Sequence, residues 1–241
     1  MAKNNLSFSL EGSLKNDQEV LFSNLKLNIN LNEWTSIIGQ SGSGKSTLLK
    51  IIAGIDLPKV FNNTLINSNT NYSFSWMAQN DLLLPWASVI ENVTLGQKLR
   101  REKIDIKKAK NLLEQVGLIN DTKKLPSMLS GGMKQRVALA RTLMENKDII
   151  LMDEPFSALD SITRSVIQKL TWKLLKNKTV IMVTHDPLEA LLLSNNLYFI
   201  SNKKLMPIKL PKSKPFRKVN NENLLYSHKY ILNKLEKSYI S

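Results

Sequence analysis

The stretch GQSGSGKS at residues 39–46 has the residue types and the spacing of a loop that binds phosphate groups. Its glycines permit backbone angles that a side chain would forbid, so successive N–H groups can point inward at phosphate oxygens. Lys45 supplies a positive charge for β and γ phosphates, and the hydroxyl of Ser46 suits Mg²⁺. A predicted strand precedes the loop and a predicted helix follows it, which is the context that such a loop requires. The predicted phosphate-binding residues are Gly39, Gln40, Ser41, Gly42, Ser43, Gly44, Lys45, Ser46 and Thr47.

Two acids follow another apolar run, IILMDEP at residues 149–155. In a parallel sheet, ligands bind at the carboxyl ends of the strands, so Asp153 is expected to face the Mg²⁺ held by Ser46. Glu154 is then placed to reach a water in line with the γ-phosphate, as general base or as the group that positions that water. Taken alone, the pair would more simply be two solvated loop acids, but the phosphate loop earlier in the chain favours the catalytic interpretation.

Two further polar residues end apolar runs that predict strands. His185 follows KTVIMVTHD and could donate a hydrogen bond to the γ-phosphate, although a lone histidine is more often an ordinary surface or core residue. Gln79 ends YSFSWMAQ and offers an amide that could contact Mg²⁺ or the attacking water. Both are candidate catalytic residues, and Gln79 is also a candidate metal ligand.

A third feature is the turn LSGGMKQR at residues 129–136. Ser130, Gly131 and Gly132 stand at the mouth of an amphipathic helix, and a helix N-terminus beside glycines attracts anions. The turn holds no group capable of covalent chemistry, so it predicts an anion-binding site rather than a catalytic one.

The elements that must position these residues alternate between strands and helices, which predicts an α/β fold. Residues 55–71 are expected to be turns, and 88–128 to be helical. A basic linker, LPKSKPFRK, precedes a last amphipathic helix at 221–239, which is expected to pack on the body, with a dedicated partner or membrane contact as the alternative. Strands are predicted at 6–10, 20–31, 33–39, 72–79, 148–155 and 178–186, helices at 46–54, 105–117, 161–176 and from Pro187, and a closing hairpin at 197–208.

Composition limits the classes of protein further. The 241 residues carry a net charge of +14 and no cysteine, which excludes disulfides and thiolate metal sites. No apolar run approaches the ~20 residues of a membrane-spanning helix, and no secretory signal is evident, so an intracellular protein is expected. Residues 203–241 hold ten basic and two acidic residues. The positive charge is therefore concentrated in the tail, where anionic lipid is as natural a partner as nucleic acid, and no nucleic-acid partner is expected.

Together, GQSGSGKS, Gln79, LSGGMKQR, LMDEP, SALD at 157–160 and His185 resemble the ATP-binding cassette (ABC) ATPases in order and spacing. The resemblance implies an ATP-hydrolysing transport motor with a RecA-like P-loop NTPase core, a small antiparallel β-subdomain and a helical subdomain at about 88–145. It implies one ATPase domain over 1–207, followed by the linker and helix of 208–241.

The resemblance also implies roles for individual residues. Glu154 would be the catalytic carboxylate and His185 the γ-phosphate sensor, with Ser46, Gln79 and Asp153 holding Mg²⁺. Asp160 would bridge subunits. Family members work as head-to-tail dimers, so Ser130, Gly131 and Gly132 would close on ATP that the other subunit holds. The working unit is thus expected to be a homodimer.

The segment WMAQNDLLLPWASVIENVTLG at residues 76–96 resembles the ATPase subunits of nitrate, sulfonate, taurine and hydroxymethylpyrimidine (thiamine-precursor) importers. Leu83, Leu84, Pro85 and Trp86 would form a stiff apolar ridge that grips a membrane partner, with ordinary core packing as the alternative. An importer implies separate permease subunits, a solute-binding protein, and a peripheral position on the cytoplasmic face of the membrane.

Two other functions stay open from the sequence. A soluble ABC protein acting on ribosomes or DNA would need paired cassettes or a long coiled-coil insertion, and an exporter cassette would have an exporter-type permease. The sequence also departs from the family, which usually stacks adenine on an aromatic residue about two dozen positions before the phosphate loop. The nearest aromatics, Phe8 and Phe22, are poorly placed for that contact.

Overall fold

The computed structural model describes residues 7–16, 19–55, 60–67, 72–219 and 221–240. They form two compact units, one of residues up to 72 together with those from 175 onward, and one of residues 73–174. In chain order the elements are β1 (Ser7–Asn16), β2 (Glu19–Asn30), β3 (Trp34–Gly39), α1 (Lys45–Ile52), β4 (Val60–Asn67), β5 (Phe74–Met77), α2 (Val89–Val93), α3 (Leu95–Leu99), α4 (Ile106–Gln115), α5 (Gly131–Met144), β6 (Ile149–Asp153), α6 (Ser161–Leu175), β7 (Thr179–Thr184), α7 (Pro187–Leu193), β8 (Asn196–Ser201), β9 (Lys204–Ile208) and α8 (Glu222–Ile240).

The first unit contains a sheet in which β7, β3 and β8 run parallel and β9 pairs antiparallel to β8. Every residue of β3 and β7 is buried, as expected of continuous apolar strands covered on both faces. Ile38 pairs with Thr184. The phosphate loop and His185 therefore leave the sheet at the same edge, which is the arrangement that strand polarity predicts.

A second sheet of the first unit is antiparallel, in the order β2-β1-β4. It corrects the prediction that residues 55–71 are turns, because β4 lies there and pairs with β1 from Ser9 opposite Asn67 to Lys15 opposite Val60. Polar residues interrupt the apolar pattern of VFNNTLIN. The strand therefore depends on a distant partner rather than on a local periodic signal.

The second unit joins a parallel pair of strands to helices. Met77 of β5 pairs with Met152 of β6, and α5 packs against β5, α2 and α4. Helix α4 begins and ends as the sequence predicts: the Asp105 side chain accepts a hydrogen bond from Lys108 N at 2.9 Å, and Gly117 follows with φ of 72°. The predicted helical character of 88–128 is confirmed, since α2, α3, α4 and two 3₁₀ turns occupy it.

The C-terminal helix packs on the first unit, as predicted, with Leu224 and Ile231 fully buried and α8 in contact with α7. The segment before it is more than a linker. Arg217 is buried, and its Nη1 donates to the carbonyls of Leu191 and Ser194, both at 2.7 Å. Those carbonyls lie at the end of α7, where helical partners run out, so the guanidinium fastens the segment to that helix. None of the described helices has the length and apolar content needed to cross a bilayer.

Candidate functional site

The phosphate loop is shaped by two glycines that cannot be replaced without movement. Gly44 has φ of 93°, and a Cβ built on it would lie 2.9 Å from Cζ of Phe22. A Cβ on Gly39 would lie 2.8 Å from the carbonyl oxygen of Ile200. The loop thus combines a left-handed backbone with close approaches to β2 and β8, and only glycine satisfies both.

Lys45 begins α1 and turns back across the loop. Its side chain is buried, and Nζ donates to the carbonyls of Gly39 at 2.9 Å and Gln40 at 2.7 Å. Within the described residues, Gln40 Nε2 and Ser43 Oγ are buried and have no hydrogen-bond partner. An ammonium group, a helix N-terminus and two unsatisfied polar atoms in one loop are suited to phosphate oxygens.

Beside the loop lies a cleft of about 320 Å³ that the first unit forms by itself. Its walls are residues 40–44 of the loop, Val20 and Leu21 of β2, the turn after β8, and Ser238 near the end of α8. Phe22 is fully buried, so its ring offers no face to an adenine, and the side chain of Phe8 lies outside the described residues. The described lining holds aliphatic and polar groups and no aromatic side chain.

His185 is exposed in the turn from β7 to α7. The turn is held by Thr184, whose Oγ1 accepts from Asp186 N at 3.0 Å and donates to the buried Glu189 at 2.7 Å. Asp186 in turn caps α7 by accepting from Leu188 N at 2.8 Å. The backbone on both sides of the histidine is therefore fixed, which places His185 at a defined point on the sheet edge.

Gln79 and Glu154 contact each other in the second unit. Gln79 lies two residues beyond the end of β5, and its Nε2 donates to Glu154 Oε2 and to Ser157 Oγ, both at 3.4 Å. Ser157 also donates from its hydroxyl to the carbonyl of Glu154 at 3.0 Å. Glu154 has φ of 45°, a left-handed conformation that costs a glutamate roughly 1 kcal/mol or more. Such strain is concentrated at functional sites, which supports the choice of this carboxylate.

The glycine turn caps α5. Ser130 is the N-cap and accepts from Met133 N at 3.3 Å, and both Ser130 and Gly131 are exposed. A Cβ on Gly132 would lie 2.6 Å from Cγ2 of Thr163, whereas one on Gly131 would contact nothing within 4 Å. The helix N-terminus is thus open to solvent on one side and packed against α6 on the other.

Asp160 caps α6 in the same unit. Its Oδ1 accepts from the amides of Ile162 at 3.1 Å and Thr163 at 3.0 Å. Hydrogen bonds from Thr163 hold the pKa of this exposed carboxyl below its ordinary value. The side chain therefore has hydrogen-bond partners within this chain.

A hydrogen bond ties the α5 helix to the acidic loop. Gln135, one turn into the helix, is buried, and its Nε2 donates to the carbonyl of Pro155, the residue after Glu154. The LSGGMKQR segment and the DEP segment are therefore mechanically connected inside the second unit. Sequence order alone does not indicate this contact.

The loop after Gln79 is braced from two helices. Asn92 of α2 is fully buried; its Nδ2 donates to the carbonyls of Leu84, Ala87 and Ser88, and its Oδ1 accepts from Leu84 N at 2.7 Å. Arg141 of α5 donates to the carbonyls of Asp81 at 2.6 Å and Leu82 at 2.8 Å. Burial lowers the pKa of that guanidinium. Neither residue was among the sequence-predicted site residues.

This bracing presents Trp86 to solvent with 75% of its surface exposed, whereas Leu83 is buried. Core packing is therefore the wrong interpretation for Trp86 and the right one for Leu83. Of the apolar ridge predicted from the sequence, only Pro85 and Trp86 are exposed, and Leu82, which was not predicted to belong to it, is exposed beside them. An exposed indole on a rigid loop is typical of a residue that anchors a partner.

The predicted site residues fall into two groups. The phosphate loop and His185 lie in the first unit, and Gln79, the Ser130 turn, Asp153 and Glu154 lie in the second. No described cluster of three or more His, Cys, Asp or Glu side chains could hold a metal by itself. The candidate ligands Ser46, Gln79 and Asp153 are oxygen donors, which suits Mg²⁺ when phosphate oxygens complete the shell.

Comparison with known proteins gives one consistent result. A family model described as ABC transporter matches residues 22–157. The chain is 41% identical over 230 residues to an uncharacterized ABC transporter ATP-binding protein of Haemophilus influenzae, covering 92% of this chain and 95% of that protein. It is 43% identical over 196 residues to the aliphatic sulfonates import ATP-binding protein SsuB 1 of Rhodococcus jostii, covering 79% and 78% of the two chains.

A solved structure shares the fold. It is an ABC transporter in an inward-facing conformation, described as being of the metal-chelate type, and one of its chains superposes with a TM-score of 0.73 at 23% identity. The match covers 94% of this chain and 90% of that chain. The α/β class predicted from the sequence is thereby confirmed.

Proposed function

The chain belongs to the ATP-binding proteins of ABC transporters and is an ATPase, and from that premise we propose that it energises import of a small solute through separate permease subunits. The observation that carries the contact with a permease is Trp86, exposed on a loop fixed by Asn92 and Arg141, and import is the activity for which relatives of the chain are named. In this proposal the chain sits peripherally on the cytoplasmic face of the membrane. It drives a permease, which receives the solute from a solute-binding protein.

The solute class follows from similarity. The Rhodococcus jostii relative is named for the import of aliphatic sulfonates, and the same name recurs for relatives from Mesorhizobium japonicum and Paracoccus denitrificans. We propose that the solute is a small organic sulfonate such as taurine. Nitrate and thiamine precursors are the alternatives. The ATPase subunit does not bind the solute itself, so the choice is tested by uptake rather than by binding to this chain.

The chemistry we propose begins at the phosphate loop. Lys45 Nζ exchanges its contacts with the carbonyls of Gly39 and Gln40 for β- and γ-phosphate oxygens, and the loop amides bind the same oxygens. Ser46, Gln79 and Asp153 would hold Mg²⁺, which neutralises phosphate charge when bound. Glu154 accepts a proton from the attacking water, and His185 donates to the γ-phosphate.

We further propose that the working unit is a homodimer. Ser130 and Gly131 are exposed at a helix N-terminus and carry no catalytic group, which suits them to a γ-phosphate bound by a second copy of the chain. Ser130→Arg places a long cation on that surface. We expect the variant to bind ATP as tightly as the wild type and to lose ATP-dependent dimers and hydrolysis, measured by light scattering and phosphate release. Retention of ATP-dependent dimers would overturn the role of the turn.

The import proposal is tested by association with the membrane. A tagged chain is expressed in its native host, membranes are cross-linked and solubilised, and proteins that co-purify are identified by mass spectrometry. We expect an importer-type permease with the wild type and at least about tenfold less with Trp86→Ala, since anchoring aromatics commonly contribute 2 kcal/mol or more. Leu99→Ala is the matched control, because Leu99 is 74% exposed and lies in α3, outside the braced loop. An exporter-type permease, ribosomes, or equal recovery with Trp86→Ala would contradict the proposal.

A further inference from the structure

The C-terminal segment forms an open groove of about 680 Å³ that the nucleotide chemistry does not use. One wall is the end of β9 and the chain after it, residues 207–212, and the other is the face of α8 that carries Asn223, Tyr226, Ser227, Tyr230 and Lys234. The volume lies within the range of about 300–1,000 Å³ that small-molecule sites in proteins occupy. The groove is formed entirely within the first unit.

The groove carries a concentrated positive charge. Lys209, Lys212 and Lys234 line it, and no lining residue is acidic. Among the described residues, none of these three lysines forms an ion pair. Three cations that no carboxylate balances favour an anionic occupant, and the attraction is strongest where the surroundings are partly desolvated.

Part of the remaining lining is apolar. Ile208 is buried at the base, and Leu210 and Pro211 are half-buried beside it. Tyr226 and Tyr230 stand on the opposite wall with 77% and 46% of their surfaces exposed. Lys234 Nζ lies 5.4 Å from the ring centroid of Tyr230 and 5.8 Å from that of Phe199, so the ring faces hold the ammonium in place.

Both walls are fixed to the body, so the groove is preformed. Arg217 fastens the chain after β9 to the end of α7, and Leu224 and Ile231 bury the opposite face of α8. Preformed sites bind small ligands without the cost of ordering a loop. The two exposed tyrosines also stand free of the helix face that packs on α7.

We propose that this groove binds a small organic anion, one with a flat apolar body and a sulfonate, carboxylate or phosphate group. The body lies between Tyr226 and the Ile208–Pro211 wall. The anionic group is bound by Lys212 and Lys234, and Asn223 and Ser227 supply hydrogen bonds at the edge. Sulfonate, carboxylate and phosphate share the chemistry that the lysines recognise, so the site is defined by charge and shape.

The test uses a matched pair of probes. The full-length chain, saturated with ATP in the absence of Mg²⁺ so that the phosphate loop is filled, is titrated calorimetrically with naphthalene-2-sulfonate and with the neutral naphthalene-2-sulfonamide. We expect one sulfonate per chain and at least about tenfold weaker binding of the sulfonamide, the effect of removing one charge-assisted contact. Titrations with 2-naphthoate and 2-naphthyl phosphate, which keep the same ring, then rank the three anionic groups.

Variants locate the site. Lys234→Met and Lys212→Met should each weaken sulfonate binding about tenfold, and Tyr226→Ala should weaken it for both probes. Lys107→Met, an exposed lysine of α4, is the control and should leave binding unchanged. Lys212 is exposed, so we expect Lys212→Met to fold even if Lys234→Met fails to fold. Equal binding of the two probes, no binding of either, or sulfonate binding insensitive to Lys212→Met would overturn the proposal.

Discussion

Gln79 Nε2 lies 3.4 Å from Glu154 Oε2 and 3.4 Å from Ser157 Oγ, so one amide joins the residues after β5 to those after β6. The hydroxyl of Ser157 in turn donates a hydrogen bond to the carbonyl of Glu154. The carboxylate is thereby oriented by the glutamine on one side, while the left-handed φ of Glu154 fixes the backbone. Gln79 also lies two residues before the 81–88 loop, which Arg141 and Asn92 hold to α5 and α2.

Glu154→Gln removes the proposed base and keeps the shape of the side chain. We expect ATP hydrolysis to fall by at least about 100-fold, since general-base catalysis contributes at least that much, while ATP affinity stays within twofold. Phosphate release measures the first quantity and calorimetry the second. The control is Glu114→Gln on the exposed side of α4. Hydrolysis at the wild-type rate by Glu154→Gln would remove Glu154 from the mechanism.

Lys45→Ala should lose most affinity for ATP. The substitution removes the only ammonium that donates to the described loop carbonyls, and charge-assisted contacts with phosphate are among the stronger hydrogen bonds in proteins. We expect at least about tenfold weaker binding by calorimetry. The control is Lys110→Ala, an exposed lysine of α4. Thermal melting establishes that both variants are folded. Unchanged ATP affinity in a folded Lys45→Ala would contradict the assignment of the loop.

Most elements of the fold were predictable because their signals are local. Asp105 caps the start of α4, and Gly117, with its left-handed backbone, follows the end of that helix. The glycines of the phosphate loop are recognisable by their spacing alone. Strand β4 was missed because its hydrogen bonds go to β1, some 50 residues earlier in the chain, and its own sequence is polar in the middle. Non-local pairing leaves no period in a single sequence.

The supporting residues of the site were missed for a related reason. An asparagine inside a helix usually faces solvent, so nothing in VIENV indicates that Asn92 is fully buried and bonds the loop of Leu84 and Ala87. The sequence predicts a basic linker around Arg217, whereas the guanidinium of Arg217 binds carbonyls at the end of α7. Such contacts depend on the path of a separate segment, which residue spacing does not encode.

Asn92→Ala tests the brace of the 81–88 loop. The substitution leaves the amide of Leu84 and the carbonyl of Ala87 without their partner, and each buried unsatisfied group costs about 1–3 kcal/mol. We expect the free energy of unfolding in urea to fall by at least about 2 kcal/mol. Asn111→Ala, an exposed asparagine of α4, should change it by less than about 0.5 kcal/mol. Equal urea midpoints of unfolding for Asn92→Ala and Asn111→Ala would show that the brace contributes no stability.

Gly132→Ala tests the packing of the glycine turn on α6. The new methyl would lie 2.6 Å from Cγ2 of Thr163, so we expect a loss of about 1–3 kcal/mol in unfolding free energy. Gly131→Ala is the matched control, because its methyl would contact nothing within 4 Å and alanine is the better helix former. It should be neutral or stabilising by up to about 1 kcal/mol.

Thr163→Ser supplies the decisive arm of that experiment, because it deletes Cγ2 and keeps the hydroxyl beside Asp160. If the clash is the cause, the double variant Gly132→Ala/Thr163→Ser should recover most of the lost stability, and the two substitutions should be coupled by at least about 0.5 kcal/mol in a double-mutant cycle. Additive effects would mean that contact with Cγ2 of Thr163 is not the cause of the loss. ATP hydrolysis is then measured in the wild type, the two single variants and the double variant of this cycle. The rate should follow stability only if the Ser130 turn must keep this position for a second copy of the chain to bind.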